Sequence, residues 1–150
     1  MHFDKVGFIG LGLIGGSIAR KMKENNPKVS IIATAGHQQT IEDAFGLGLI
    51  DNNELLELNS FKDCDVIFLC APVNKNIEYL TQLKDIIKDD CIITDVGSTK
   101  TQIHEKVIEL GLERNFIGGI AIPPASSAIS TNTSWKSLRI LAPGRVSESL

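Results

Sequence analysis

The chain has 150 residues, of which 43% are hydrophobic and 22% are charged, and its formal net charge is −3. This length and apolar content fit one globular domain with a core of its own and exclude a mainly disordered chain. The mild acidity disfavours nucleic acid as a partner, and no apolar run reaches the roughly 18 residues that a membrane-spanning helix needs.

Short β-rich runs alternate with segments of helical period along most of the chain. Strands are predicted at Lys5–Ile9, Val29–Ala33, Asp65–Cys70 and Cys91–Asp95, with a shorter one at Asn115–Gly118. Each of the first four is followed by a segment whose apolar residues recur mostly at three- or four-residue steps, as on the buried face of a helix: Ile14, Ile18 and Met22; Ile41, Ala44 and Phe45; Ile77, Leu80, Leu83 and Ile87; Ile103, Val107 and Leu110. Residues 51–64 are expected to form a loop with at most a short helix.

This alternation predicts a parallel sheet with right-handed crossovers and helices on both faces, in three layers α/β/α. The pattern is clear over residues 5–119, whereas residues 120–150 form an irregular, Ser- and Pro-rich tail with one strand-like run at Leu138–Leu141. We therefore expect residues 1–150 to form a single α/β domain. An unpaired edge of its sheet gives a hypothesis for a homodimer, because exposed strand edges can pair with a second copy.

The cysteines, Cys64, Cys70 and Cys91, are three in number and have no C-x-x-C spacing. They are expected to be small buried apolar side chains in a reducing compartment, in preference to disulfide partners or metal ligands. The N-terminus leads directly into a strand-like run and does not resemble a signal peptide. We therefore expect a cytoplasmic protein without a metal site.

A glycine motif joins the first predicted strand to the first predicted helix. Gly10, Gly12 and Gly15 fit G-x-G-x-x-G, with Leu13 and Ile14 between the last two glycines, and an extra glycine, Gly16, follows. The first glycine permits a tight turn, the second lets a pyrophosphate approach the backbone, and the third lets helix and strand pack closely. The helix N-terminus then offers amides and partial positive charge to phosphates. This context predicts a doubly wound, Rossmann-type dinucleotide-binding fold; the alternative is a glycine turn without a ligand.

The end of the second strand, about 20 residues after the first glycine, is where a carboxylate would bind the ribose of NAD. Residues 33–38 contain no Asp or Glu, so nothing there supports strict use of NAD. Thr34 and His37 are candidates to meet the 2′-phosphate of NADP, although no Arg accompanies them. His37 is as well explained as a solvated loop histidine. The residues favour NADP over NAD by a small margin.

A second group of polar residues, Thr94–Lys100, runs from a strand end through Gly97 into a helix. Ligands of doubly wound sheets bind outside the carboxyl ends of the strands, so the Ser98 hydroxyl is a candidate to face both nicotinamide and substrate. Ser98 is equally well explained as a helix N-cap. A Ser-His-Asp hydrolase is not supported, because the chain has no G-x-S-x-G elbow.

With both groups of residues in view, the chain resembles the nucleotide-binding domain of the prephenate dehydrogenase family, whose members oxidise prephenate or arogenate in tyrosine synthesis. The resemblance rests on Val6–Ser17, Asp65–Val73 and Asp95–Lys100, with Phe116–Gly119 at the next strand end. It covers roughly residues 5–119. It implies hydride transfer to NADP or NAD, with loss of carbon dioxide and formation of an aromatic ring.

The resemblance also implies roles for individual residues. Ser98 corresponds to a serine that hydrogen-bonds near the ring hydroxyl of the substrate, and Gly97 is placed beside the cofactor. The cofactor itself is expected to contact the glycines of the motif and the segment Cys70, Ala71 and Pro72.

Two departures from the family pattern bear on activity. The family has a histidine after its paired glycines, whereas Ile120 follows Gly118 and Gly119 here, and isoleucine accepts neither a proton nor a hydrogen bond. The helical second domain of the family does not follow within this chain. Loss of a positioned acid–base residue lowers rates by about 10²–10⁴, so we expect impaired turnover. The alternatives are a non-catalytic dinucleotide-binding module and a fragment of a β-hydroxyacid-type dehydrogenase.

Overall fold

A computed structural model of the chain describes residues 3–96 and 101–118. It contains five strands, β1 (Lys5–Ile9), β2 (Ser30–Thr34), β3 (Val66–Leu69), β4 (Ile92–Asp95) and β5 (Phe116–Ile117), and four α-helices, α1 (Leu13–Asn25), α2 (Gln38–Gly46), α3 (Val73–Leu83) and α4 (Thr101–Leu110). A short 3₁₀ helix at Leu58–Phe61 lies in the predicted loop. The strand predicted at Leu138–Leu141 lies outside the described residues.

The strands form one sheet of order β2-β1-β3-β4-β5, and every pairing is parallel. From β1 the chain first crosses over to β2 on one side; from β2 it then returns past β1 to β3 and continues in that direction to β4 and β5. The switch point of the sheet therefore lies between β1 and β3. Ligands of doubly wound folds bind at such a point, outside the carboxyl ends of the strands. The predicted fold class is confirmed.

Two hydrophobic cores lie on opposite faces of this sheet. Residues of α1 and α2 pack on one face, where the rings of Phe8 and Phe68 stack with centroids 4.8 Å apart. Residues of α3 and α4 pack on the other face, against Ile67, Leu69 and Ile93. The middle strands β1 and β3 are therefore buried on both sides, which explains their continuous apolar sequence. No helix in the described ranges is long and apolar enough to cross a membrane.

Three details differ from the sequence-based expectation. Helix α3 ends at Leu83 and is followed by a turn, in which the amides of Ile86 and Ile87 both donate to the Leu83 carbonyl (2.9 and 3.0 Å). Ile87 therefore packs on the core from outside the helix. Phe45, expected on the buried face of α2, is 44% exposed. In α3 the polar Asn76 is buried more deeply than Ile77.

Side chains close the outer edge of β2. The Ile31 amide donates to Asp51 Oδ2 (2.7 Å), and the Ile31 carbonyl accepts from the Asp51 amide (2.7 Å). The Ala33 amide donates to Asn52 Oδ1 and its carbonyl accepts from Asn52 Nδ2, both at 2.9 Å. Lys23 anchors Asp51 by a salt bridge of 3.0 Å. The outward-facing peptide groups of Ile31 and Ala33 are thus paired, and this edge does not fit the hypothesis of dimerisation through a free strand.

Asp65 ties together the amino ends of β1 and β3. Its Oδ2 accepts from the amides of Asp4 and Lys5 at 2.8 and 3.1 Å, and its Oδ1 bonds to Lys88. Burial would raise the pKa of this carboxyl, but the Lys88 ammonium and the two amides outweigh it and hold the pKa below its usual value. The same contact raises the pKa of Lys88.

Candidate dinucleotide-binding site

The turn after β1 requires glycine at Gly10. Its φ is +84°, in the left-handed region that L side chains rarely adopt. A Cβ at this position would lie 2.7 Å from both the amide nitrogen and the Cβ of Ala71. The turn is also fixed from the other side, because the amides of Gly10 and Leu11 both donate to the Thr34 carbonyl at 2.9 Å. Gly10 therefore sits between the ends of β2 and β3.

The start of α1 keeps its hydrogen-bond donors available. Gly12, the N-cap, has no side chain to cap them, and the first turn contains no acidic residue. The first helical bond runs from the Gly16 amide to the Gly12 carbonyl (2.8 Å). Among the described residues, no acceptor bonds to the four amides before it, those of Gly12, Leu13, Ile14 and Gly15. Four amides without an acceptor among the described residues, at the positive end of a helix, are suited to binding an anion.

This distribution of donors refines the expectation drawn from the motif. The first two amides of the turn bond to Thr34 and are not available for a phosphate. The available donors begin at Gly12, whose φ of −146° is extended backbone. The surroundings of Gly12 are open, because the nearest atom to a Cβ built there is the Gly10 carbonyl oxygen, 3.9 Å away.

Gly15 brings α1 close to the end of β3. A Cβ there would lie 3.1 Å from Cys70 Sγ and 3.3 Å from Leu11 Cδ1, closer than most real Cβ contacts. The glycine thus allows the helix to lie directly on Cys70. Burial, together with the negative charge of Asp95, raises the pKa of the Cys70 thiol to about 12. The thiol stays protonated at neutral pH and acts as an apolar wall, not as a nucleophile.

The segment Cys70–Pro72 is held in place from α3. Pro72 is the N-cap of that helix, and its carbonyl accepts from the Asn76 amide (3.0 Å). Asn76 Nδ2 donates to the Ala71 carbonyl (2.8 Å), while the buried Asn76 Oδ1 has no partner in the described part of the chain. Asn76 is not among the predicted site residues, although its spacing from Leu80 and Leu83 places a polar side chain on the buried face of α3.

The end of β2 lies beside the glycine turn through the Thr34 carbonyl. Thr34 is half-buried and His37 is exposed. His37 is the N-cap of α2, yet its side chain makes no capping hydrogen bond, and the first turn of α2 contains no acidic residue. Thr34 thus contacts the glycine turn through its main-chain carbonyl, whereas the His37 side chain is exposed at the start of α2. The two residues between them carry no carboxylate.

Three residues of interest, Gly97, Ser98 and Ile120, lie outside the described residues. Asp95, two residues before Gly97, ends β4 and is 1% exposed. Its buried position at the carboxyl edge of the sheet, next to β3, places it near Cys70.

Comparisons with known proteins identify the family. The family described as prephenate dehydrogenase, nucleotide-binding domain, matches residues 18–129. The chain belongs to the prephenate dehydrogenase family. Within that family, it is 37% identical over 119 residues to the prephenate dehydrogenase of Lactococcus lactis subsp. cremoris, a match that covers 77% of this chain and 33% of the relative. The chain therefore spans about a third of the length of this curated relative.

Solved structures of the family share the fold. The Synechocystis arogenate dehydrogenase is 32% identical and superposes with a TM-score of 0.66, over 79% of this chain and 42% of that one. The prephenate dehydrogenase of A. aeolicus, solved in complex with hydroxyphenyl propionate and NAD+, is 26% identical with a TM-score of 0.69, over 79% and 41% of the two chains. Each match covers less than half of the solved chain.

Proposed function

We propose that this chain is the cofactor-binding part of an oxidoreductase that oxidises prephenate or arogenate, with NADP or NAD as the hydride acceptor. The observation that carries the proposal is the start of α1. Four amides without an acceptor among the described residues follow a turn whose first position admits only glycine. That arrangement suits a diphosphate, and the family relation supplies the reaction.

The described residues contribute placement rather than chemical groups. The amides from Gly12 to Gly15 would hold the diphosphate, while Ala71 and Cys70 form the adjoining wall. A nicotinamide ring, when bound, supplies the carbon that accepts the hydride. Because the Cys70 thiol is protonated, the wall adds no competing nucleophile. Oxidation with loss of carbon dioxide forms an aromatic ring, so the protein's main task is orientation of the reacting carbon.

The direct test is a calorimetric titration of the 150-residue chain with NAD and NADP in parallel. We expect binding of at least one, and no heat together with no thermal shift would contradict the proposal. The matched variant is Gly12→Asp. Any residue can adopt the φ of position 12, and a carboxylate at an N-cap stabilises a helix. The new carboxylate would also accept hydrogen bonds from the amides and repel phosphate, so we expect affinity for the dinucleotide to fall about 100-fold or more without loss of thermal stability.

For the choice of cofactor, we favour NADP. The end of β2 lacks the carboxylate that binds a ribose 2′-hydroxyl, and the uncapped start of α2 adjoins it. The Thr34→Asp variant tests this: like charges repel, so we expect NADP affinity to fall at least tenfold while NAD affinity is retained or rises. Stronger binding of NAD than of NADP by the unaltered chain would contradict the preference.

For the substrate, we propose that Ser98 hydrogen-bonds near the ring hydroxyl of prephenate or arogenate. The Ser98→Ala variant should then keep its cofactor affinity and lose turnover. Ile120, in place of the histidine of the family, favours a second candidate function, a dinucleotide-binding module without catalysis. Tight cofactor binding with no oxidation of either substrate would support the module, and slow turnover would support the enzyme. We place either one in a reducing compartment, consistent with the three free cysteines.

A further inference from the structure

Gly16 is a glycine that the fold does not require. Gly10 has a positive φ and Gly15 lies against Cys70, so both are explained by the backbone or by packing. Gly16 lies inside α1, its φ is not in the left-handed region, and no atom of the described residues comes within 4 Å of a Cβ built there. Glycine inside a helix is less stable than alanine because it loses more backbone freedom on folding.

The side of α1 that carries Gly16 faces β2. Lys23 lies seven residues, about two turns, further along and so projects from the same side. Its ammonium reaches the Val29 carbonyl (2.8 Å) and Asp51, both beside β2. Gly16 is only half-buried, whereas Leu13, on the outer side of the helix, is 83% exposed. Gly16 is therefore a gap in the flank of α1, and it opens toward the strand that ends at Thr34.

This gap adjoins the candidate site on two sides. The Gly16 amide makes the first bond of the helix, directly after the four available donors. The end of β2 is joined to the same turn through the Thr34 carbonyl. A dinucleotide whose diphosphate binds those donors extends its adenosine half toward the end of β2 in doubly wound folds.

We infer that Gly16 contributes to cofactor binding by clearance: the absence of a side chain leaves room for the adenosine half of the dinucleotide, between the first turn of α1 and the end of β2. The inference rests on the proposed function, because the position of the adenosine half follows from the diphosphate bound at the start of α1. It goes further than the proposed function because it assigns a role to one helical residue: Gly16 provides the space that the ribose needs, with or without a 2′-phosphate.

The test uses Gly16→Ala, whose predicted effects on stability and on binding have opposite signs. The added methyl group raises the helix propensity and meets no described neighbour, so the unfolding midpoint should rise by about 2–4 °C. Affinity for ADP-ribose, which carries the adenosine half without nicotinamide, should fall at least tenfold, and affinity for the whole dinucleotide should fall with it.

Gly46→Ala is the matched control. Gly46 ends α2, and a Cβ there also has no neighbour within 4 Å. This variant should likewise gain stability or keep it, with unchanged affinity for ADP-ribose and for the dinucleotide.

Each other outcome decides against a stated claim. Gly16→Ala with unchanged ADP-ribose affinity overturns the clearance role, even if dinucleotide binding weakens, because the occupant would then not be adenosine. A lower unfolding midpoint overturns it too, since the glycine would be required by the fold. If the unaltered chain binds neither ADP-ribose nor a dinucleotide, the proposed function fails and the inference fails with it.

Discussion

The closed edge of β2 gives a quantitative prediction through Asn52→Ala. The Asn52 carboxamide replaces the peptide group of a neighbouring strand, since it accepts from the Ala33 amide and donates to the Ala33 carbonyl, both at 2.9 Å. Its Nδ2 also donates to the Glu54 carbonyl (2.8 Å). A net hydrogen bond contributes about 0.5–1.5 kcal/mol. Because water can reach the half-buried edge and replace some of these hydrogen bonds, we expect Asn52→Ala to lower the free energy of unfolding by about 1–2 kcal/mol.

The assay is urea denaturation followed by circular dichroism, with the free energy of unfolding compared between variants. Asn53→Ala is the control. The neighbouring Asn53 is exposed, and within the described part of the chain only its main-chain carbonyl is hydrogen-bonded, by Gln38 Nε2 (3.0 Å). Amide exchange at Ala33 should quicken in Asn52→Ala, and sedimentation at high concentration should show self-association through the freed edge. An unfolding free energy within about 0.3 kcal/mol of the unaltered chain, with Ala33 still protected, would refute the reasoning.

Three further predictions concern the turn, the amino edge of the sheet and the cysteines. Gly10→Ala forces a left-handed residue against Ala71, so the free energy of unfolding should fall by about 2 kcal/mol or more in a denaturant titration; an unchanged value would show that the turn relaxes freely. Asp65→Asn should lower stability at pH 7 by about 1–3 kcal/mol. The folded pKa of Asp65 lies below its free value, so the difference in stability from the unaltered chain is present above pH 4 and is lost as the pH falls through the folded pKa. A difference that does not shrink as the pH is lowered below 4 contradicts this. Burial raises the pKa of Cys64, Cys70 and Cys91 to about 12, so iodoacetamide at pH 8 should alkylate them slowly in the folded chain and rapidly in urea, and equal rates would count against their burial.

The sequence predicted the sheet well because a strand buried on both faces leaves an unambiguous apolar run, as in β1 and β3. It predicted the glycine turn because Gly10 and Gly15 meet fixed steric requirements. Its error at Ile87 arose because apolar spacing continues after the backbone has left the helix. A period shows which side chains are buried, not where the hydrogen bonds stop.

Contacts between distant segments were beyond prediction. The pairing of Asn52 with Ala33 joins residues 19 apart through a loop with no regular pattern. The two amides of the glycine turn that bond to Thr34 are invisible in the motif, which indicates donors without showing which are already engaged. Asn76 and Asp95 are buried because α3 and β4 pack at the edge of the sheet. A single polar residue in an apolar segment does not predict this burial.

The two hydrogen bonds that the Thr34 carbonyl accepts from the glycine turn have an evolutionary consequence. Both bonds are made by main-chain atoms, so the distance between the glycine turn and the end of β2 is fixed independently of the side chain that residue 34 carries. If the proposed function holds, substitutions at positions 34 and 37 would change the preference between NADP and NAD while the backbone of the glycine turn stays the same. A related protein would then exchange one cofactor for the other through a few side chains at the end of β2.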